Sequence, residues 1–336
     1  MKRFLCKISL FFLPVMVLLM CYIIIDPFKV VWHYDNYRKT DSGASLNRGF
    51  VSAMTYKQQY GTYHYDSFIF GNSRSLFYQV DEWKKHLPDS AVCYHFSVSG
   101  GSIKGLYYAI KYIDDCGEKL NNALIVLDYQ FLGRIDVQGP YHATPPVLTG
   151  YRNAFAFHGD ILRNWLDLDF LRYWTEYQIT GEFKDYMRKH IENNAGFIYD
   201  PVTNEESSRL NDSLIAAGAF YNDNKVKEFA NYQHPKVSPV LLTDEAKRIL
   251  KDIYSILSQH NTSYRIVISP LYDQYSLNPE DEETLVDIFG KANVFNFSGI
   301  NHWTMDYHNY YEPSHYTPAV AAEIMDSIYR EQGKKE

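Results

Sequence analysis

The chain has 336 residues, 46% of them hydrophobic and 22% charged, and a formal net charge of -7. That length and apolar share suffice for one large core, or a core with a sizeable insertion, and exclude a disordered chain. With no basic run beyond the first residues and the Lys334-Lys335 tail, the sequence offers a nucleic-acid backbone nothing to hold, so no nucleic-acid partner is expected.

At the N-terminus, Ile8 to Ile25 carries no charge and follows Lys2, Arg3 and Lys7. As a helix this run reaches ~27 Å, close to the ~30 Å of bilayer hydrocarbon. It ends in Asp26-Pro27 without a small-residue cleavage pattern, which predicts an uncleaved single-pass transmembrane helix that meets lipid over residues 8–25, rather than a removed signal peptide. Lys29, Arg38 and Lys39 after the span nearly match the three cations before it, but the latter lie closer to it. The expected orientation is therefore a cytoplasmic N-terminus and an extracytoplasmic main body.

The expected organisation is an anchor at 1–28, a tether and lead-in helix at 29–64, an α/β domain at 65–332 with an insertion at 133–240, and a tail at 333–336. The polar stretch Asp35 to Arg48 shows no apolar period and reads as the tether. Phe68 to Gly71 is a short buried strand, and Ser73 to Leu87 is helical, with Leu76, Val80 and Trp83 at helical spacing. Ala91 to Phe96 is a second strand, Ser102 to Cys116 a helix, and Ala123 to Asp128 a third strand.

Gly133 to Val240 is aromatic and polar, mostly helical around Ile161 to His190. Its Trp165, Tyr173, Trp174, Tyr177 and Tyr186 serve either as stacking platforms for sugar rings or as packing. Thr243 caps a helix that keeps Ala246, Ile249, Leu250, Ile253, Ile256 and Leu257 on one face. Tyr264 to Ser269 and Asn293 to Phe297 are the last strands, and Pro279 to Gly290 and Thr317 to Arg330 the last helices. Cys93 and Cys116 are expected at the same side of the sheet, as a disulfide or as two buried thiols.

Alternating apolar strands and helices imply a parallel, doubly wound sheet of five strands covered on both faces, a three-layer α/β/α sandwich. In such sheets ligands bind at the carboxyl ends of the strands. Ser73 follows strand one, Ser99-Gly100-Gly101 strand two, Asp128 closes strand three, and Glu312 and His315 follow strand five. A serine nucleophile needs a base, and the base needs a carboxylate to fix its tautomer; Ser73, His315 and Glu312 fill those roles. Read singly, Ser73 or Asn72 is equally a helix N-cap, and Asp128 an orienting group or a cap. His302, His308 and His315, with Asp306 among them, have no metal-ligand spacing, and no metal is expected.

The blocks Phe70-Gly71-Asn72-Ser73-Arg74-Ser75, Phe96-Ser97-Val98-Ser99-Gly100-Gly101 and Tyr311-Glu312-Pro313-Ser314-His315-Tyr316 carry a resemblance to the SGNH (GDSL-like) hydrolase superfamily. It extends over about residues 65–130 and 243–330 and leaves the insertion outside. The chain is most similar there to membrane-anchored members such as the alginate O-acetyltransferase-like proteins and the D-alanyl transfer protein of teichoic acid. The resemblance implies an SGNH/flavodoxin-like fold and an acyl-serine intermediate formed by Ser73, His315 and Glu312. Gly101, Gly100, Asn72, Gln130 and Asp128 become the oxyanion and substrate-binding positions, and no cofactor is needed.

It further implies an acylated glycan or other acyl donor as substrate, and a separate membrane-embedded O-acyltransferase as partner. Two departures stand out: the family's asparagine after strand three is replaced by Leu127-Asp128-Tyr129-Gln130, and the acid is Glu312 instead of aspartate. The expected function is a membrane-anchored O-acyltransferase or esterase acting on cell-envelope glycans. The alternatives are a catalytically inactive scaffold that binds glycan or a membrane partner, and a metal-dependent phosphoester enzyme using Asp128 and the C-terminal histidines.

Overall fold

The structure, a computed structural model, describes residues 2–98, 101–192 and 196–330, with backbone alone at residues 2–10. Five parallel strands form the sheet: β1 (Ser67–Gly71), β2 (Cys93–Ser97), β3 (Asn122–Leu127), β4 (Ser263–Ile268) and β5 (Val294–Asn296), in the order β2-β1-β3-β4-β5. These are the apolar runs expected from sequence. Because strand side chains alternate, Phe68, Phe70, Tyr94 and Phe96 enter one core, while Ile69, Cys93, Leu124 and Val126 enter another on the opposite face.

Helices close both faces. In chain order they are α1 (Lys2–Ile25), α2 (Arg48–Tyr63), α3 (Val80–Lys84), α4 (Ile103–Asp115), α5 (Tyr129–Leu132), α6 (Ala154–Trp165), α7 (Leu168–Thr180), α8 (Arg209–Ala216), α9 (Asp223–Phe229), α10 (Asp244–Gln259), α11 (Pro279–Phe289) and α12 (Pro318–Arg330). Helices α2, α4, α10 and α11 bury apolar stripes in the first core, and α3 and α12 in the second. Thr243 caps α10 by accepting from the Ala246 amide, and Ile249, Leu250, Ile253 and Leu257 face the sheet as the period required. The chain steps from β1 out to β2 and returns to the far side of β1 as β3. That reversal opens a crevice at the carboxyl ends of β1 and β3.

Several expectations need correction. Ser73 to Leu87 is not one helix: a 3-10 turn at Ser73–Phe77 is followed by α3, with Tyr78 and Gln79 extended between them. The break lets the fully buried Tyr78 ring reach Tyr316, whose hydroxyl donates to the Tyr78 hydroxyl at 3.3 Å. Of the two states expected for Cys93 and Cys116 the free thiols hold, and it is their placement on one side of the sheet that is corrected: Cys93 faces the second core while Cys116 packs against the first, on the other face.

The tether is not a loose connection either. Asp26, at a left-handed φ of 44°, turns its carboxylate onto the amides of Val30, Val31 and Trp32, each 2.9 Å away. Lys29 is buried and donates to the carbonyls of Tyr37 and Thr40. These polar anchors fold residues 26–47 so that Phe28, Tyr37, Leu46 and Phe50 form a third core with Phe157, Trp165 and Phe170 of the insertion. Charge and polarity hid this segment, since its order comes from side-chain caps and not from an apolar period.

The insertion is helical in α6, α7, α8 and α9, and also carries a hairpin, Ile198–Asp200 with Glu205–Ser207. Trp165 and Trp174 are core residues, while Tyr173, Tyr177 and Tyr186 sit at the rim of the third core and on the surface. Among the described residues no helix is long and apolar enough to cross a membrane; the run expected to do so begins at Ile8, and its side chains through residue 10 lie outside the described residues. From Leu18 onward α1 leans on the insertion, where Trp165 Nε1 donates to the Leu18 carbonyl at 2.9 Å.

Candidate active site

Gly71 ends β1, and Ser73 opens the 3-10 turn that follows, at the crevice between β1 and β3. The first amide of a helical turn has no acceptor within it. Among the described residues the Ser73 N–H finds none elsewhere either. Its hydroxyl Oγ lies 2.7 Å from His315 Nε2. The other ring nitrogen, Nδ1, is in hydrogen-bond contact with Glu312 Oε1, and Glu312 Oε2 accepts from the Ser314 amide at 2.9 Å. Residues 242 positions apart thus meet as hydroxyl, imidazole and carboxylate in line.

The acid and the base share a tight turn. Tyr310–Glu312 and His315–Tyr316 pair antiparallel, and Glu312 stands opposite His315 across Pro313-Ser314. Flanking tyrosines pin this turn to the second core: Tyr310 and Tyr316 are fully buried, and the Tyr310 hydroxyl donates to the Pro270 carbonyl at 3.0 Å. Burial works against the Glu312 carboxylate but is outweighed by the hydrogen bond and charge of His315 and by the Ser314 amide. Its pKa falls below the ordinary value. An ionised Glu312 beside Nδ1 holds that nitrogen protonated and leaves Nε2 as the acceptor facing Ser73.

Asp128 lies beneath the serine and is fully buried, so it meets no substrate. It caps α5 through Phe131 N at 2.9 Å, and its Oδ2 accepts from Asn72 Nδ2 and Arg74 Nη1, both at 2.9 Å. Asp128 is thus both the cap and the orienting group. Asn72 accepts the Arg74 amide on Oδ1, so its side chain is clamped at both ends. Gln130 takes Arg74 Nη2 on its oxygen and donates to the Tyr129 hydroxyl.

Gly101 has a φ of +65°, and a Cβ there would fall 2.4 Å from Phe131 and 2.9 Å from Asn72 Cβ. Glycine is needed for this packing. Its amide points at the Val98 carbonyl, 3.3 Å away, and not at the serine, which corrects the expected oxyanion role. Gly100 and Ser99 lie outside the described residues.

The Ser73–His315 pair opens into a cleft of about 410 Å³. Its walls include residues that sequence reasoning missed: Arg48 at the start of α2, and Arg134, Tyr141, His142 and Glu192 of the insertion. Arg48 donates to the buried Glu206 at 2.6 Å. Burial, aided by the Arg134 charge, lowers the His142 pKa. No motif marks these positions: Arg134 is held by the turn after α5, where its carbonyl accepts from the Ile103 amide at 3.0 Å, and the others reach the cleft because the third core folds the lead-in and the insertion against the sheet. A hollow of about 590 Å³ beside α12, lined by His302, Trp303 and Arg330, lies apart from Ser73.

His308 binds Asp306 at 2.7 Å, His302 packs on Trp303, and His315 faces Ser73, so the three histidines do not converge. Among the described residues no group of three or more histidine, cysteine or acidic side chains is placed to hold a metal ion. No protein-family model matches the chain, and no curated protein or solved structure matches it significantly.

Proposed function

We propose that the chain is a serine-dependent O-acyltransferase or esterase of cell-envelope glycans, held to the membrane by its N-terminal helix. The observation that carries this reading is the Ser73–His315–Glu312 line, with 2.7 Å between Oγ and Nε2, at the floor of a cleft. Ser73 Oγ attacks the acyl carbonyl carbon while His315 Nε2 takes the hydroxyl proton, and Glu312 steadies the imidazolium. The Ser73 amide faces the oxygen on which charge develops. When the ester C–O bond breaks, His315 returns the proton to the departing alkoxide. A sugar hydroxyl or water, deprotonated in turn by His315, then takes the acyl group from Ser73.

Among the described residues of the cleft walls, Arg48, Arg74 and Arg134 outnumber the acid Glu192, which favours substrates that carry negative groups. The exposed apolar face of α1, including Phe11, Met20 and Ile24, supports the lipid contact. Lys29 and Arg38, which seemed to offset the cations before the span, are both turned inward, Arg38 onto Glu206 at 2.8 Å. Only Lys39 of that trio is exposed, and this supports a cytoplasmic N-terminus. An acyl donor outside the membrane must be supplied from within, which is the task of a membrane-embedded O-acyltransferase partner.

The scaffold reading is favoured by one observation, the Gly101 amide turned onto Val98, together with the absence of an asparagine after β3. Hydrolysis of 4-nitrophenyl acetate separates the two. The enzyme reading requires turnover by the wild-type chain, acetate trapped on the Ser73 peptide, and a loss of roughly 10³-fold or more in Ser73→Ala. A folded wild-type chain with no turnover and no trapped acetate supports the scaffold.

A further inference from the structure

A second serine–histidine pair lies directly beneath the first, and we propose that Ser75 and His95 are positioning residues that aim the Ser73 amide at the reacting carbonyl oxygen. The proposal rests on Ser73 being the nucleophile. It adds two residues that touch no substrate.

Ser75 and His95 are both fully buried. Ser75 Oγ lies 2.8 Å from the Asn72 carbonyl oxygen and 2.8 Å from His95 Nε2. A hydroxyl has one hydrogen, and a carbonyl can only accept. The Ser75 hydrogen therefore goes to Asn72, and His95 must donate from Nε2–H to the Ser75 oxygen. The far side of the ring agrees. His95 Nδ1 is buried without a partner among the described residues, so no neighbour there calls for a proton on it. Burial also holds the ring's pKa down at about 4, so it is neutral at ordinary pH.

The Asn72 carbonyl accepts a second bond from the Ser75 amide, at 3.0 Å, so it is held twice on the buried side. The Asn72–Ser73 peptide is trans, and in a trans peptide the C=O and the following N–H point in opposite directions. Holding the carbonyl toward the buried Ser75 holds the Ser73 N–H turned away from it, and the open side of Ser73 is the cleft that it lines. Gly71 is part of the same device. A Cβ there would fall 2.6 Å from Ser75 Cβ and 2.8 Å from the Val126 carbonyl, so Ser75 reaches its place only because residue 71 has no side chain. His95 is itself fixed by its backbone, which donates to Thr203 O at 2.8 Å and accepts from Asn204 Nδ2 at 2.6 Å.

The test uses the full-length chain and 4-nitrophenyl acetate. Ser75→Ala and His95→Phe should lower kcat about 10- to 100-fold, less than the roughly 10²- to 10³-fold lost when an oxyanion donor is removed outright, with KM changed less than about twofold. Affinity for methylboronic acid, whose serine adduct carries the tetrahedral charge, should fall by the same factor. His95→Gln, whose amide N–H sits where the imidazole Nε2–H does, should restore most of the rate. Unchanged kcat in Ser75→Ala, or equal losses in His95→Gln and His95→Phe, would overturn the positioning role while leaving the nucleophile in place. Full turnover by Ser73→Ala would instead remove the reading beneath it. In the wild-type chain, which no folding defect can confound, ¹⁵N NMR should show His95 as the Nε2–H tautomer between pH 6 and 8; an Nδ1–H tautomer or an imidazolium there contradicts the proposal.

Discussion

Two serines two positions apart each touch a histidine nitrogen at 2.7 to 2.8 Å, and their surroundings give them different chemistry. His315 is backed by the Glu312 carboxylate and faces a cleft, so it can take a proton and remain stabilised. His95 has no carboxylate on its second nitrogen and no solvent, so protonating it is costly. Its folded pKa of about 4, against an ordinary value of 6.5, means that the unfolded chain binds a proton there that the native chain refuses. Stability from this group is complete above pH 6.5 and is lost as pH falls toward 4. We expect the wild-type chain to lose about 3 kcal/mol through His95 over that interval. Urea unfolding of His95→Gln should lack this part of the slope, and equal slopes for the two proteins would contradict the buried, neutral histidine.

Among the elements, the hairpin Ile198–Asp200 and Glu205–Ser207 does work that its length does not advertise. Strand β2 is an edge strand, and unpaired edges invite association. The hairpin's turn covers that edge at His95, and Asn204 Nδ2 bonds both the Ser52 hydroxyl at 2.8 Å and the His95 carbonyl at 2.6 Å. Asn204→Ala leaves those buried acceptors unpaired and should cost about 1–3 kcal/mol, measured by denaturant unfolding. A change within ~0.5 kcal/mol would show that the hairpin merely rests there. Little of this was legible in the sequence. Asn204 is one polar residue in a polar stretch, and only the fold brings it to a strand 109 positions earlier. The strands themselves were legible, because burial on both faces forces uninterrupted apolar runs such as Phe68-Ile69-Phe70 and Leu124-Ile125-Val126. The helix expected over Ser73 to Leu87 was not, since the periodicity of Leu76, Val80 and Trp83 survives the break at Tyr78.

For the whole molecule, two cores flank the sheet, and a third joins the segment after α1 to the insertion. The third core decides what the cleft is. It brings Arg48, His142 and Glu192, beside Arg134 from the turn after α5, around a serine and histidine that the sheet alone would present on an open rim. The meeting of Ser73, His315 and Glu312 could be read in advance because the serine directly follows β1 and the Glu312-to-His315 block lies in the segment after β5, at the edge where the wound topology converges. The walls could not, because their positions depend on polar anchors such as Asp26 and Lys29 that have no periodic signature. Whether Ser73 is the activated hydroxyl is decided by reaction of the full-length chain with a fluorophosphonate followed by peptide mapping. We expect a single adduct on the peptide containing Ser73, lost in Ser73→Ala and strongly slowed in His315→Gln. An adduct mapped to another residue, or labelling undiminished in Ser73→Ala, would contradict it.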